Sequence, residues 1–381
     1  MNNIKLKNSL ANIINVAILS TNNTAYSETF IKAHKTLPFH IKFYYGGTVP
    51  SHLEGEGYLV KNQITNLINR LKYVFDKSLS IPELALKHSL AKNRIQLVLA
   101  EFGVTAADSL NVIKSLNIPL ITHFHGADAS EYKLLDEYRD KYLEVFSYAK
   151  RIVVVSKRMK SALIELGCPE EKVLLNTYGP HSSFFEIPKQ LKKQQFVAVG
   201  RFVDKKAPYL LIMAFQKIVN KHPDTRLVFG GDGPLLNTCK NLVKILGLQN
   251  NVSFLGVLKP QEVKTLFTES IAFVQHSIVA DNGDAEGTPV SILEAQAAAL
   301  PVISTYHAGI PDVVIHEKTG LLCEEMDIET MANNMLKIIE NPELCRLYGE
   351  NATIHIKENF SIEKHLSCLE EAIKKAIDKY S

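Results

Sequence analysis

Two successive series of short apolar runs, separated by helix-length amphipathic segments, constrain the fold of this chain more than any other feature. Runs of this length that end in Gly, Asn or Ser are typical of buried parallel strands in βα units. The first series is NVAILST (15–21), HIKFYYG (40–46), IQLVLAEFG (95–103), PLITHFHG (119–126), RIVVVS (151–156) and KVLLNTYG (172–179). The second is FVAVG (196–200), RLVFGG (226–231), VSFLG (252–256), IAFVQHS (271–277) and PVIST (301–305). The pattern predicts an α/β chain with two doubly wound parallel sheets.

The pattern stops at IPKQLKKQQ, because a Pro and a run of Lys and Gln have no apolar face to bury. We therefore predict a linker at 187–195 between an N-terminal Rossmann-like domain (1–186) and a C-terminal one (196–362). A chain of 381 residues is long enough for two such cores that face a cleft.

The last segment, SIEKHLSCLEEAIKKAIDKYS, spaces Leu366, Leu369, Ile373 and Ile377 at helical intervals. This spacing predicts an amphipathic C-terminal helix over 363–381. Acidic residues interrupt its polar face, which favours packing on a domain surface over anchoring in a membrane.

The overall charge is close to balanced, with 43 Lys and Arg against 40 Asp and Glu, so we expect no nucleic-acid partner. The five cysteines lack zinc-ligand or disulfide spacing and favour a reducing cytoplasm. We find neither a signal-peptide pattern nor about 20 consecutive apolar residues. The expected location is therefore cytoplasmic, with at most peripheral contact with the inner membrane face.

The stretch DNGDAEGTPVSILEAQAAALP (281–301) combines a helix start with two carboxylates. Thr288 followed by Pro is a good N-cap and first-turn pair, and Gly287 would leave the first-turn amides open to a phosphate. The carboxylate of Glu286 would repel an anion bound at this site unless a ligand group, such as a sugar hydroxyl, contacts it. Glu294 projects about 80° round the helix from Glu286 and could accept hydrogen bonds from a ribose. Two glutamates at this spacing are by themselves a weak signal.

Two further stretches follow predicted strands of the second sheet. In VGRFVDKKAP (199–208), Arg201 and Lys206 could neutralise a diphosphate leaving group, although a pair of surface cations is the simpler interpretation. In GGDGPLL (230–236), Gly231 and Gly233 permit a turn with positive φ that would let the backbone approach a nucleotide. A tight βα connection explains the same glycines equally well.

In the first domain, THFHGADAS (122–130) places His123, His125 and Asp128 at a strand end, where ligand groups of open α/β sheets usually lie. Such a group could bind a metal or donate protons near neutral pH. His123 lies deeper in the strand, which favours a structural role for it.

Together these motifs resemble the donor site of retaining glycosyltransferases of family 4, which have the GT-B fold. The resemblance rests on E-x7-E, on LPVISTYHAGIPDVV and on the G-R-x-x-x-x-K and H-G-x-D patterns, and it is strongest from Gly200 to Leu322. DNGDAEG and YSETFI (26–31) are similar to members that build bacterial exopolysaccharide and lipopolysaccharide. The resemblance implies transfer of a sugar, with retention, from a UDP- or GDP-sugar to a glycan or lipid-linked saccharide.

The resemblance also implies roles for individual residues. Glu286 would contact the donor sugar, Glu294 the ribose, and His125 the region near the reacting carbon, while Arg201 and Lys206 would stabilise the leaving group. The candidate donor-binding positions are Gly200, Gly231, Gly233, Gly287, Thr288 and Glu294. The candidate acceptor-side positions are Ser27, Glu28 and Asp128, although Ser27 could equally cap a helix.

One loop departs from the family pattern. NTYGPHSSFF matches the family's N-x-x-G through Asn176 and Gly179, but His181 stands where members commonly have Asp. No D-x-D follows a strand, so we expect neither a metal nor another cofactor.

Three alternatives remain open from the sequence. A nicotinamide oxidoreductase is disfavoured because the first strand leads into STNNTAYSE without G-x-G-x-x-G. The others are a non-catalytic nucleotide-binding partner subunit and a GT-B epimerase or phosphorylase.

Overall fold

The computed structural model describes residues 14–23, 29–60, 79–188 and 194–378, and these residues form two α/β domains. The N-terminal sheet has eight strands in the order β4-β3-β2-β1-β5-β6-β7-β8. Its strands are parallel except that β3 runs antiparallel to β2 and to β4. Its elements are β1 (Asn15–Leu19), α1 (Thr29–His34), β2 (His40–Tyr45), β3 (His52–Leu53), β4 (Gly57–Tyr58), α2 (Ile81–Lys92), β5 (Leu97–Glu101), α3 (Gly103–Ser115), β6 (Leu120–His123), α4 (Tyr132–Tyr148), β7 (Arg151–Val154), α5 (Lys157–Glu165) and β8 (Val173–Leu175).

The C-terminal sheet has six parallel strands in the order β11-β10-β9-β12-β13-β14. Its elements are β9 (Gln195–Val199), α6 (Pro208–Val219), β10 (Arg226–Gly230), α7 (Leu236–Ile245), β11 (Val252–Phe254), α8 (Pro260–Glu269), β12 (Ala272–Val274), α9 (Val290–Ala297), β13 (Val302–Thr305), α10 (Ile310–Val313), β14 (Gly320–Cys323), α11 (Ile328–Glu340) and α12 (Pro342–Asn359). The last helix is α13 (Ile362–Asp378).

The prediction of two parallel-sheet α/β domains is confirmed, and each predicted apolar run contains a strand. Strands β5 and β6 are buried along their whole length, which explains why they are continuous apolar runs rather than alternating ones. The sequence reading missed β14 and the short antiparallel pair β3 and β4, because neither has a long apolar run. Gln195, predicted as linker, already belongs to β9 and hydrogen-bonds Ser270.

The C-terminal helix crosses back to the N-terminal domain. Leu369 and Ile373 of α13 are fully buried and share a hydrophobic cluster with Ile18 and Leu99 of the first sheet. Burial of each such side chain contributes on the order of 1.5–3 kcal/mol. The end of the chain therefore ties the two domains together.

The N-x-x-G stretch explains how this crossing is accommodated. The side-chain amide of Asn176 donates to the carbonyl of His365 in α13 (3.1 Å). A Cβ at Gly179 would lie 2.2 Å from the backbone nitrogen of Ile362, so no other residue fits without a backbone shift. The motif docks the start of α13 against the first domain.

Candidate functional site

The carboxyl ends of strands from both sheets meet where the two domains touch. We call this contact, which includes His125, Gly126, Ala285 and Gly287, the seam. A Cβ at Gly287 would lie 2.3 Å from the carbonyl oxygen of His125, and one at Gly126 would lie 3.3 Å from the carbonyl oxygen of Ala285. Glycine at 287 therefore allows a backbone contact that a side chain would prevent. This seam is where open α/β sheets place their ligand groups.

The loop before α9 is held by hydrogen bonds to the N-terminal domain. The N–H of Ala285 donates to Oγ of Ser130 (3.0 Å) and the hydroxyl of Thr288 donates to the carbonyl of Val155 (2.8 Å). Thr288 is therefore not the N-cap that we predicted. Its hydroxyl is used across the seam, and α9 starts at Val290 without a side-chain cap.

An ion pair between Lys206 and Glu286 lies at this seam. The Nζ atom of Lys206 is 2.7 Å from Oε1 of Glu286, and both side chains are largely buried. Burial opposes ionisation of Glu286, but the charges of Lys206 and Lys205 outweigh it and lower the pKa of Glu286 to about 2. Burial also lowers the pKa of Lys206, an effect that Glu286 opposes in part. The pair gives the seam one fixed negative and one fixed positive group.

The two adjacent lysines have different partners. Lys205 is bound to Oδ1 of Asp284 (2.8 Å) and to the carbonyl of Ala285 (3.1 Å). Lys206 instead lines a cavity with Arg201, which is exposed and whose guanidinium has no hydrogen bond or ion pair with any other described residue. Lys205 therefore holds the loop, while Lys206 and Arg201 face the cavity. The same cavity is lined by Gly200, Gln275 and apolar residues of the C-terminal domain.

The glycines of GGDGPLL have the expected positive φ, but they lie against the backbone of another loop of the protein. Gly231 has φ +136°, and a Cβ there would lie 2.0 Å from the carbonyl oxygen of Gly200. Gly233 has φ +154°, and its Cβ would meet the backbone of Phe202 at 2.6 Å. In the described structure, these glycines thus leave room for the loop after β9, which carries Arg201.

Two residues that we did not predict orient the backbone of Glu286. The N–H of Glu286 donates to Nε2 of the buried His307 (3.0 Å). Because Nε2 accepts, the ring proton of neutral His307 is on Nδ1, which donates to Oε1 of Glu325 (2.6 Å). Burial lowers the pKa of His307, against the charges of Glu325 and Glu286. In the sequence, this His lies in LPVISTYHAGIPDVV, which matches the family pattern, but no local signal pairs it with Glu325, 18 residues away.

Glu294 lies on the half-buried side of α9. No described residue hydrogen-bonds to its carboxyl or forms an ion pair with it. Burial raises the pKa of Glu294 to about 8, with Lys264 opposing weakly. Glu294 is therefore mostly protonated at neutral pH until a partner favours the charged form.

The structure places the side chain of His125 inside the N-terminal domain. Its Nε2 is 2.9 Å from Oε2 of Glu101, and its Nδ1 is hydrogen-bonded to the hydroxyl of Tyr178. With both ring nitrogens engaged, the group that His125 presents to Gly287 is its carbonyl oxygen. The bonds of the ring therefore help to hold the backbone of His125 in place.

Asp128 corrects another prediction. Its carboxylate is buried and accepts hydrogen bonds from the backbone N–H groups of Gly103 (2.9 Å), His125 (3.0 Å) and Gly126 (2.9 Å). It therefore shapes the H-G-x-D loop and is not free to contact an acceptor. The other two candidate acceptor residues, Ser27 and Glu28, lie outside the described residues.

Three buried side chains come close enough together to hold a metal ion, within the part of the chain that the structure describes. They are His34, Glu101 and His123. Nδ1 of His34 already donates to Oε1 of Glu101 (2.6 Å), and His125 occupies the other carboxylate oxygen. Both ring nitrogens of His123 are buried without a hydrogen-bond partner, and burial together with the neighbouring histidines lowers its pKa well below the usual value. Coordination would have to displace the existing hydrogen bonds.

His181, which replaces the family's Asp, serves as a local cap. Its Nδ1 accepts from the backbone N–H of Ser183 (3.2 Å) at the start of a one-turn 3-10 helix. A carboxylate could accept the same bond.

The helices that the structure describes include none long and apolar enough to cross a membrane.

Comparison with known families matches both domains. The model described as Glycosyltransferase Family 4 matches residues 44–175, and the model described as Glycosyl transferases group 1 matches residues 181–355. The second match contains Arg201, Lys206, Glu286 and Glu294.

Relatives include glycosyltransferases of surface-polysaccharide synthesis. The chain is 30% identical over 251 residues to WcaL of Escherichia coli K12, a glycosyltransferase assigned to colanic acid biosynthesis, and this alignment covers 64% of the chain and 61% of WcaL. It is 29% identical over 247 residues to the amylovoran biosynthesis glycosyltransferase AmsK of Erwinia amylovora, with the same coverage of 64% and 61%. The aligned part thus spans less than two thirds of these relatives.

Solved structures share the whole architecture. HepE of Anabaena, solved in complex with UDP and glucose, superposes with a TM-score of 0.76 over 94% of this chain and 99% of its own, at 15% identity. A sucrose-phosphate synthase of Thermosynechococcus elongatus has a TM-score of 0.76 over 96% and 100%, at 18% identity. At such identities the likeness shows the fold alone. The likeness thus shows the GT-B fold, and the two family matches show that the chain has a Glycosyltransferase Family 4 domain followed by a Glycosyl transferases group 1 domain.

Proposed function

We propose that the chain transfers a sugar, with retention, from a UDP- or GDP-sugar to a hydroxyl of a glycan or lipid-linked saccharide in cell-surface polysaccharide synthesis. The observation that carries the proposal is the Lys206–Glu286 ion pair (2.7 Å) where the two sheets meet, beside the exposed Arg201. The polysaccharides named for WcaL and AmsK support this class of product, and the UDP in the HepE complex supports this class of donor.

The leaving group is the diphosphate of the nucleotide. Its oxygen gains negative charge as the bond to the sugar breaks, so cations aimed at it stabilise the transition state more than the ground state. Arg201 has no competing partner among the described residues, and Lys206 has only Glu286 and a 3.3 Å hydrogen bond to Gln275. Both cations lie on the loop that Gly231 and Gly233 hold in place.

Glu286 faces the sugar side of this arrangement. A carboxylate with a pKa of about 2 remains charged at every physiological pH. It can therefore accept hydrogen bonds from sugar hydroxyls and stabilise the positive charge that develops on the anomeric carbon. The ion pair with Lys206 makes it a poor covalent nucleophile, so we favour attack by the acceptor on the face from which the diphosphate leaves.

The two cations offer the charge compensation that a metal supplies in other transferases. We therefore propose metal-independent transfer with no cofactor. A lipid-linked acceptor would bring the protein to the inner membrane face. Vesicles that contain such an acceptor should then support turnover at least as well as the free saccharide.

The test begins with calorimetric binding of UDP-, GDP- and other nucleotide sugars in EDTA, followed by transfer assays with the donor that binds. NMR of the product then assigns the anomeric configuration. We expect micromolar binding of one donor class, transfer in EDTA, and an anomeric centre of the same configuration as the donor.

A matched control is Lys217→Ala, which removes a half-exposed lysine of α6 paired with Glu329. Lys206→Ala should abolish turnover whereas Lys217→Ala should not. Binding without transfer to any saccharide would support a non-catalytic subunit, and an inverted product would overturn retention.

A further inference from the structure

A closed circuit of hydrogen bonds joins the C-terminal helix to the ring of His125. Glu101 accepts from His125 and from His34, and Nε2 of His34 lies 2.8 Å from Nε2 of His365 on α13. His365 is in turn 3.1 Å from the carbonyl of Thr177, the residue next to Tyr178, which hydrogen-bonds His125. Because Thr177 and Tyr178 are adjacent in the chain, these contacts form a closed loop.

The geometry assigns the protons of this circuit. Because a carbonyl only accepts, Nδ1 of His365 must donate to Thr177. Burial and the nearby His34 lower the pKa of His365 to about 3, so the ring has this single proton. Its Nε2 can then only accept, and the proton between the two rings belongs to Nε2 of His34.

His34 connects His365 to Glu101 through its two ring nitrogens. Its Nδ1 donates to Glu101, a carboxylate whose burial is outweighed by His34 and His125, so that its pKa falls to about 2. Histidines are the only basic side chains within ion-pair distance of Glu101 among the described residues. A buried carboxylate needs such a partner.

His125 is likewise bonded through both ring nitrogens. Its Nε2 is hydrogen-bonded to the ionised Glu101, and its Nδ1 is hydrogen-bonded to the hydroxyl of Tyr178. The ring also stacks on Phe30, with centroids 4.5 Å apart. These contacts together fix the orientation of the ring.

We propose that Glu101, His34 and His365 are positioning residues that fix the ring of His125, and with it the carbonyl facing Gly287, only while α13 is docked on the N-terminal domain. The inference rests on the proposed function, because it assigns these residues to the same site. Since α13 follows α12 of the C-terminal domain, the circuit makes the geometry of the seam depend on the link between domains. None of the three residues contacts the cavity beside Arg201.

The test uses full-length protein labelled with ¹⁵N-histidine, whose imidazole resonances distinguish the two tautomers and the doubly protonated ring. In the wild type we expect the resonances of His365 to show a single proton on Nδ1, which donates to Thr177. His365→Leu should remove the acceptor for His34 and shift the resonances of His125. It should also lower kcat by about 10- to 100-fold with KM for the donor within about twofold.

The control is His355→Leu, a partly buried histidine of α12 outside the circuit, which should leave the His125 resonances unchanged. His365→Gln supplies a second variant if the leucine variant does not fold. Unchanged His125 resonances in a folded His365 variant would overturn the proposal. These NMR outcomes do not require turnover, so they remain informative even if the protein transfers no sugar.

Discussion

The ammonium of Lys206 and the carboxylate of Glu286 lie 2.7 Å apart, with side chains 14% and 8% exposed, where the two domains meet. Each group neutralises the charge of the other. A nucleotide-diphosphate sugar offers each a better partner, the diphosphate for Lys206 and sugar hydroxyls for Glu286. The pair therefore supplies both the positive group and the negative group that the proposed transition state needs.

Glu286→Gln should separate binding from catalysis. Removing the carboxylate frees Lys206 for the diphosphate, so UDP should bind as tightly as to the wild type or more tightly. Loss of charge stabilisation at the sugar should lower kcat by about 10²- to 10³-fold. Calorimetry with UDP and initial-rate kinetics check the two halves. Weaker UDP binding with unchanged kcat would contradict this assignment.

Glu294 should make stability depend on pH. Burial raises its pKa to about 8 in the folded protein, whereas the unfolded value is about 4.5. Its contribution is thus fully present below pH 4.5 and is lost as pH rises through 8. Glu294→Gln imitates the neutral acid, so its melting temperature should exceed the wild-type value by a margin that grows between pH 5 and 8 and then levels off. Glu137→Gln, at an exposed site on α4, should show no such trend.

The same carboxyl should release a proton when nucleotide binds. Ribose hydroxyls that donate to Glu294 favour its charged form and lower its pKa. We expect UDP binding at pH 7 to release close to one proton and binding at pH 9.5 to release almost none. Calorimetry in two buffers of different ionisation enthalpy measures this number. Equal release in Glu294→Gln would rule out this source of the proton.

His307 should matter for catalysis through the backbone of Glu286. His307→Phe removes the acceptor of the Glu286 N–H and leaves that group unsatisfied at a buried site, at a cost of about 1–3 kcal/mol. Because burial lowers the pKa of His307 below its unfolded value, its contribution to stability is present above the unfolded pKa and is lost as pH falls through the folded one. Wild type should therefore lose more stability on acidification than His307→Phe. Urea unfolding at several pH values checks this, and parallel curves would count against it.

Gly287→Ala tests the contact between the domains. The added methyl group would lie 2.3 Å from the carbonyl of His125, whereas Gly126→Ala meets its nearest atom at 3.3 Å. The first variant should lose most of its kcat because the seam cannot close, and the second should lose less. Small-angle scattering should show a more open envelope for Gly287→Ala. Equal effects of the two substitutions would show that steric contact is not the cause.

The sequence by itself determined the two sheets, the strand ends that carry candidate residues and the family. Fully buried parallel strands must be continuous apolar runs, and E-x7-E and G-R-x-x-x-x-K depend on spacing within single segments. The β3–β4 pair escaped prediction, since strands of two residues are too short to show a period. The apolar run of β14 is limited to Leu321, Leu322 and Cys323.

Only the tertiary structure decided which partner each polar group has. Thr288 reads as a helix cap locally, but its hydroxyl binds Val155 of the other domain, and Asp128 binds three backbone amides instead of facing the cleft. His365 meets His34 across 331 residues of chain. Hydrogen bonds of this kind depend on distances that folding sets between remote segments, and no local sequence pattern specifies them.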